Sequence, residues 1–311
     1  MSPQGKASST RLDTTAMGIL LVLCASWGMQ QVTIKVANAG VSPVLQAGIR
    51  SIGATVLLWF WMQWRRQPLF ERDGTLWWGV AVGIGFAAEF MLIYWGLEYT
   101  NASRAVVFLY TMPFYTAIGA QLFIPAERLR PLQVLGLLLA FAGIVVAFGE
   151  SLTMPTRRTL VGDGMALGAA GLWGLCTVMI KASRLSQIRP AKTLFYQLAV
   201  SALALPLFSL ALGEAGIVRI TPLIGLCLVY QIVWVAFITY LIWFWLIKHY
   251  PASRLAAFVF FTPLFGVLFG AGLLNEPLTL SLLTALVLVG SGIFMVNHPA
   301  PMPPGPGERT P

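Results

Sequence analysis

Apolar residues dominate this chain in long stretches, broken at intervals by glycine, proline and small clusters of charge. The breaks mark off ten runs of about 20 residues, the length that carries a helix across the hydrocarbon core of a bilayer. They fall at 15–36, 44–64, 75–98, 102–123, 131–149, 162–182, 191–212, 221–247, 252–273 and 278–296. The connections are short, and none is long enough to form a separate soluble domain. The polar opening "MSPQGKASSTRLDTT" leads into the first run without a clear small-residue cleavage site. That run therefore reads as the first membrane helix, not a removed signal peptide. The closing "HPAPMPPGPGERTP" is rich in Pro and Gly and is expected to be disordered. The pattern predicts an all-α integral membrane protein with ten transmembrane helices.

The pattern also repeats itself. "NASRAVVFLYTMPF" from Asn101 to Phe114 is echoed by "PASRLAAFVFFTPLF" from Pro251 to Phe265, with Arg104 and Arg254 each nine residues ahead of a proline, Pro113 and Pro263. "SWGMQQVTIK" at 26–35 matches "LWGLCTVMIK" at 172–181, so Trp27 precedes Lys35 as Trp173 precedes Lys181. Pro43 and Pro190 open the helices that follow. "ERL" at 127–129 matches "EPL" at 276–278, and "AGIVV" at 142–146 matches "SGIFM" at 291–295; the offset stays between 146 and 150. The chain reads as two five-helix repeats, 15–149 and 162–296, joined by a linker at 150–161 and flanked by cytoplasmic tails 1–14 and 297–311. Five is odd, so the second repeat begins on the opposite side of the membrane from the first. Such inverted repeats are a hallmark of secondary transporters, with the site near the midplane between the copies.

Composition and charge sharpen this picture. Residues are 58% hydrophobic and 10% charged, against about a quarter charged in a soluble domain, so the apolar excess must face lipid. The net charge of +9 lies in short loops with no basic face or recognition motif, which disfavours nucleic acid as a partner. With the N-terminus in the cytoplasm, fourteen Lys and Arg fall inside and five outside, with Arg50 left within a span. That bias places both termini in the cytoplasm. Cys24, Cys176 and Cys227 lie in apolar runs without metal-ligand spacing and read as small apolar fillers.

Ten spans, a five-plus-five duplication, Trp-Gly in the first helix of each half, Ala-Ser-Arg with a mid-helix proline in the fourth, and an acid leading into the fifth together resemble the EamA-type proteins of the drug/metabolite transporter superfamily. The resemblance covers about 15–296. It implies a ten-helix exporter in the bacterial inner membrane that moves amino acids or other small metabolites through a central cavity. Among such proteins, the YddG-type amino-acid exporters are a reasonable analogue.

The candidate site residues are polar or aromatic groups stranded in apolar runs. Glu89, in "GIGFAAEFMLIYWG", has no other charge nearby in its helix. A carboxylate in lipid is expensive and faces the bundle interior or water; it serves either proton coupling or a substrate ammonium, or else a structural ion pair. Its repeat counterpart is Thr239, so the fold itself does not demand the charge. Arg50 lies roughly 10 Å and Glu89 roughly 14 Å below the outer ends of their helices at 1.5 Å per residue, which brings them to similar depth and suggests a pair. Arg50 alternatively holds a substrate carboxylate, while the resemblance favours a structural role; Gln197 is its counterpart. Trp27, Gln30, Gln31 and Ile34 share one helix face, and Trp173, Cys176, Thr177 and Ile180 the matching one. Both faces read as cavity lining or as plain helix packing. Tyr110, Gln231 and Trp234 are weaker lining candidates. Such a weakly polar, aromatic cavity suits an apolar or amphipathic metabolite. Pro113 and Pro263 would release the carbonyls of Leu109 and Val259 and act as hinges or as fixed kinks. Gly79-x-x-x-Gly83 and Gly266-x-x-x-Gly270 predict close helix contacts within one chain or between chains. Glu127 and Glu276, at loop-to-helix turns, read as structural.

There is no Walker-A pattern, so ATP is not expected as a partner, and no HExxH or G-x-S-x-G. The two histidines, His249 and His298, lie near membrane edges, which disfavours an enzyme, a metal or any other cofactor. Isolated polar residues, without a continuous polar path, disfavour a channel. A non-transporting scaffold would not need inverted copies.

Overall fold

The structure, a computed structural model, describes residues 12–69, 71, 73–152, 155–274 and 280–298. Glu276, the residues before 12 and the tail from 299 lie outside them. Among the described residues, ten helical spans are long and apolar enough to cross a membrane. The first half contains α1 (Thr14–Ala37), α2 (Pro43–Trp64), α3 (Leu76–Gly96), α4 (Ala102–Leu109), α5 (Met112–Phe123) and α6 (Pro131–Phe148). The second contains α7 (Arg157–Ala182), α8 (Pro190–Ala211), α9 (Pro222–Val229), a π-helical stretch (Tyr230–Thr239), α10 (Tyr240–His249), α11 (Ala252–Phe258), α12 (Phe261–Leu274) and α13 (Leu280–Asn297). Large apolar side chains on the outside, such as Trp77 and Leu203 at 80% and 72% exposure, would be an aggregation surface in water. They suit lipid.

Local chemistry sets the helix ends. Pro43, Pro131, Pro190 and Pro222 occupy the first turns of α2, α6, α8 and α9, where a missing N–H costs nothing. Side chains of Asp13, Asn101 and Thr156 accept the otherwise unpaired amides of Ala16 at 2.7 Å, Arg104 at 2.9 Å and Thr159 at 3.1 Å. The Thr156 cap starts α7 at Arg157, five residues before the apolar run that the sequence marks at 162. Hydropathy locates the membrane, whereas the cap locates the helix.

Packing couples the halves. The fifth spans pair with each other, α6 on α13, and the second with the seventh, α2 on α8. Helix α3 packs on α7 and α8, while the eighth span packs on α1 and α2; α1 lies along α12, and α7 along α4 and α5. Exchanging the halves converts each of these pairings into itself or into another of the set. The Trp-Gly motifs explain two of them. A Cβ on Gly28 would stand 2.6 Å from Phe265 Cβ and 2.7 Å from the Gly266 amide nitrogen. One on Gly174 would stand 2.7 Å from Tyr115 Cβ and 3.0 Å from the Thr116 nitrogen. Each glycine thus lets the first helix of one half cross the kinked fourth helix of the other at backbone contact. Gly79 and Gly83 likewise receive Tyr196 and Val200 of α8, so that pair serves contacts within the chain.

Both fourth helices are interrupted where proline removes a hydrogen bond. The breaks fall at Tyr110–Thr111 and Val259–Phe260, just ahead of Pro113 and Pro263. Tighter bonds bridge them: the Thr111 amide donates to the Phe108 carbonyl at 3.2 Å and the Phe260 amide to the Ala257 carbonyl at 3.3 Å.

Polar contacts tie the two ends of the bundle. At the end carrying Asp13, Lys181 forms an ion pair with Glu127 and donates to the Tyr250 carbonyl. Glu127 also accepts the Ala252 amide at 2.7 Å, at the start of α11, in keeping with a structural role. There Lys192 meets Asp73 at 2.7 Å and the Tyr250 hydroxyl donates to Asp13 at 2.9 Å. At the opposite end Arg104 pairs with Asp163, and Glu214 accepts the Val44 and Leu45 amides at 3.1 and 3.0 Å, capping α2.

Candidate functional site

A cavity of about 710 Å³ lies between the halves. Helix α1 contributes Trp27, Gln30 and, towards its end, Lys35; α3 contributes Phe86, Glu89, Phe90 and Tyr94; α4 leads to Tyr110. From the second half come Trp173, Cys176 and Thr177 on α7, Gln197 on α8, Tyr240, Trp243 and Phe244 on α10, and Pro263 on α12. The wall is mainly aromatic, with a few polar groups converging on it, the usual make-up of a small-molecule pocket.

The rings hold one another in place. Trp27 donates its indole N–H to Thr239 at 2.9 Å and meets Trp243 and Tyr240 edge-on, with centroids 5.3 and 6.2 Å apart. Phe86 meets both Phe90 and Tyr240 edge-on at 4.9 and 6.2 Å. Such contacts contribute about 0.5–1.5 kcal/mol each beyond area burial. They fix the ring planes that a substrate would touch.

Glu89 is 5% exposed, and its Oε2 has no hydrogen-bond partner. A carboxylate oxygen left open in a low-dielectric wall is unfavourable unless a proton or a cation completes it. Gln30, Thr177 and Gln197, all buried, supply neutral polar groups nearby in the same wall.

Most residues singled out from the sequence meet here: Trp27, Gln30, Glu89, Tyr110, Trp173, Thr177, Gln197 and Pro263. Four do not line the cavity. Arg50 is 1% exposed and sits behind the wall, its guanidinium 4.4 Å from the Phe90 ring centroid and 6.0 Å from that of Tyr240. All three of its side-chain nitrogens lack hydrogen-bond partners, so the approach to Glu89 expected from their similar depth involves no hydrogen bond. Its guanidinium packs on rings instead, and the two charges interact through space. Pro113 is buried at the start of α5, away from the wall. Gln231 is buried within the π-helical stretch, and Trp234 is 40% exposed with its N–H on Ser26 Oγ at 2.9 Å. Both belong to the part of the eighth span that packs against α1 and α2, which takes them away from the cavity.

The sequence reading passed over the rings of α3 and α10. Phe90, Tyr94 and Leu97 stand 150 residues before Tyr240, Phe244 and Ile247, and all six line the cavity. The repeat offset, extended from the first and fourth helices to the third, identifies them.

Known proteins share both sequence and fold with this chain. The EamA-like transporter family matches residues 14–149 and, a second time, 160–298. The uncharacterized transporter YoaV of Bacillus subtilis (strain 168) is 24% identical over 291 residues, 90% of this chain and 95% of YoaV. A protein of Escherichia coli (strain K12), named a probable amino-acid metabolite efflux pump, is 27% identical over 89% of this chain and 93% of its own length. One crystal structure superposes with a TM-score of 0.79 over 91% of this chain and 96% of its own, at 19% identity, a likeness of fold alone. The chain belongs to the EamA-like transporter family and is a multi-pass membrane protein, a secondary transporter of a small metabolite and not an enzyme.

Proposed function

We propose that this transporter exports amino acids or closely related amine-bearing metabolites from a bacterial cell across the plasma (inner) membrane, in the manner of the YddG-type exporters. Glu89 carries the reading: a buried carboxylate with one open oxygen, set among aromatic rings from both halves. It takes the substrate ammonium or a proton, one at a time, because a bare charge in that wall is unfavourable. The rings receive the apolar body of the substrate, and Gln30, Gln197 and Thr177 its polar remainder. Relatives in Escherichia coli and Salmonella typhimurium, both named probable amino-acid metabolite efflux pumps, support the substrate class. Arg50 has a positioning role in this reading, holding Phe90 from behind.

The transport cycle is alternating access by two inverted five-helix halves, 15–149 and 162–296, with both termini cytoplasmic. Supporting it are the Lys and Arg bias, the twofold match of the family to the chain, and helix pairings that survive exchange of the halves. The interruptions ahead of Pro113 and Pro263 are the hinges, since the chain there already lacks a full set of helical bonds. Export of another small or drug-like compound is the second reading, favoured by the ring-rich wall.

Counterflow in proteoliposomes tests this. Liposomes loaded with unlabelled amino acids, and separately with other metabolites, are followed for entry of the matching labelled compound. Saturable exchange of amino acids is expected. Glu89→Gln should retain exchange of whatever it still binds but lose accumulation driven by an imposed pH gradient. Exchange confined to compounds without an amine would overturn the substrate assignment, and unaltered gradient-driven flux in Glu89→Gln would overturn its proton role.

A further inference from the structure

A second cavity, of about 450 Å³, opens at the end of the bundle that carries Glu127. Ile180, Phe244 and Ile247 line both it and the central cavity, so a wall one side chain thick separates the two. Its chemistry is unlike that of the central cavity. Among the described residues, Arg128, Arg130, Lys181, Lys248 and Arg254 line it, against a single carboxylate, Glu127. That carboxylate is already engaged by Lys181 and by the Ala252 amide. Ser253, 2% exposed, also lines the cavity, and its hydroxyl has no hydrogen-bond partner.

Membrane orientation accounts for basic residues at this end of the protein in general. It does not account for five of them around one recess, with a buried hydroxyl left open in its wall. A concave surface of one sign with low-dielectric walls focuses the field and concentrates counter-ions. Arginine adds planar, bidentate donors matched to carboxylate and phosphate oxygens. We propose that this vestibule binds an oxyanion, a carboxylate or phosphate group, through Arg128, Arg130, Arg254 and the Ser253 hydroxyl. Two sources supply that chemistry: the carboxylate of a solute waiting behind the Ile180–Phe244–Ile247 wall, or the phosphate of an anionic lipid headgroup. The antechamber role rests on the transport reading above, whereas anion binding itself does not.

The test uses the full chain in phosphatidylcholine nanodiscs. Thermal stability is followed as acetate or inorganic phosphate replaces chloride at constant ionic strength. Wild type should show a saturable stabilisation, with an apparent Kd about tenfold weaker in Arg254→Gln and in the double variant Arg128→Gln/Arg130→Gln, as for loss of a hydrogen bond to a charged group. Arg128 and Arg130 are exposed, which keeps the double variant foldable if Arg254→Gln is not. Arg157→Gln/Arg158→Gln, at the opposite end, should behave as wild type. Native mass spectrometry after addition of phosphatidylglycerol separates the sources. Retained lipid that acetate does not displace assigns the site to a headgroup, and displacement assigns it to a solute. Stabilisation that does not saturate, or that is equal in the vestibule variants and wild type, overturns the proposal while leaving the counterflow result untouched.

Discussion

At the scale of single residues, the molecule leaves two buried opposite charges, Arg50 and Glu89, without a hydrogen bond between them. Arg50 rests on the Phe90 face behind the cavity wall, and Glu89 lines the cavity. Three unpartnered guanidinium nitrogens carry a desolvation penalty of several kcal/mol, and a cation–π contact returns only about 2 kcal/mol of it. Arg50→Met, similar in length and uncharged, is therefore expected to leave the melting temperature in a fixed detergent unchanged or higher. Transport should fall at least tenfold as Phe90 loses its backing. A melting temperature lowered by more than about 4 °C, roughly 1 kcal/mol for a domain of modest size, would mean that the guanidinium has a structural partner. The sequence identified both charges, because a charge in an apolar run stands out. It did not reveal the rings packed on Arg50, because an aromatic residue in a span that is apolar on every side looks the same whether it meets lipid or cavity.

At the scale of elements, glycine and proline decide where helices cross and break. Gly28 and Gly174 were legible as the second letter of a repeated Trp-Gly motif, but their purpose was not, since it depends on Phe265 and Tyr115 far along the chain. Gly28→Ala and Gly174→Ala should each destabilise the protein by about 1–3 kcal/mol, the cost of overpacking, because the new methyl meets backbone that has no room to shift. Gly18→Ala is the control: nothing lies within 4 Å of its Cβ position, and alanine is the better helix former there. Thermal unfolding in one detergent compares all three, and equal melting temperatures would contradict the close crossing. Helix positions themselves were almost fully legible, since bilayer thickness fixes span length. The eighth span was the exception at the level of faces. Its π-helical part packs against α1 and α2, a tertiary contact with no hydropathy signature, so Gln231 and Trp234 fell on the wrong side.

At the scale of the whole molecule, ion pairs hold the halves together at the end carrying Asp13. Asp73, in the loop between α2 and α3, belongs to the first half, and Lys192 to the second. Burial alone would raise the Asp73 carboxyl, but the Lys192 ammonium and the Thr75 hydroxyl and amide outweigh it and hold the group down at about 2. A carboxyl depressed in the folded state stabilises that state above its unfolded value of about 3.9 and loses the contribution as pH falls towards the folded one. The difference in melting temperature between wild type and Asp73→Asn should thus be constant from pH 7 to about 5 and shrink between about 4 and 2. A difference that changes near neutrality would assign the contact to another group.

The helix pairings exchange between halves, yet the chemistry placed on them does not. Glu89 answers to Thr239, and Arg50 to Gln197. Two arrangements related by such an exchange would be equal in free energy if the halves were identical. With Arg50 and Glu89 buried in only one half, they are not. If the halves alternate as proposed, the empty carrier has a preferred resting side and waits there for its cargo.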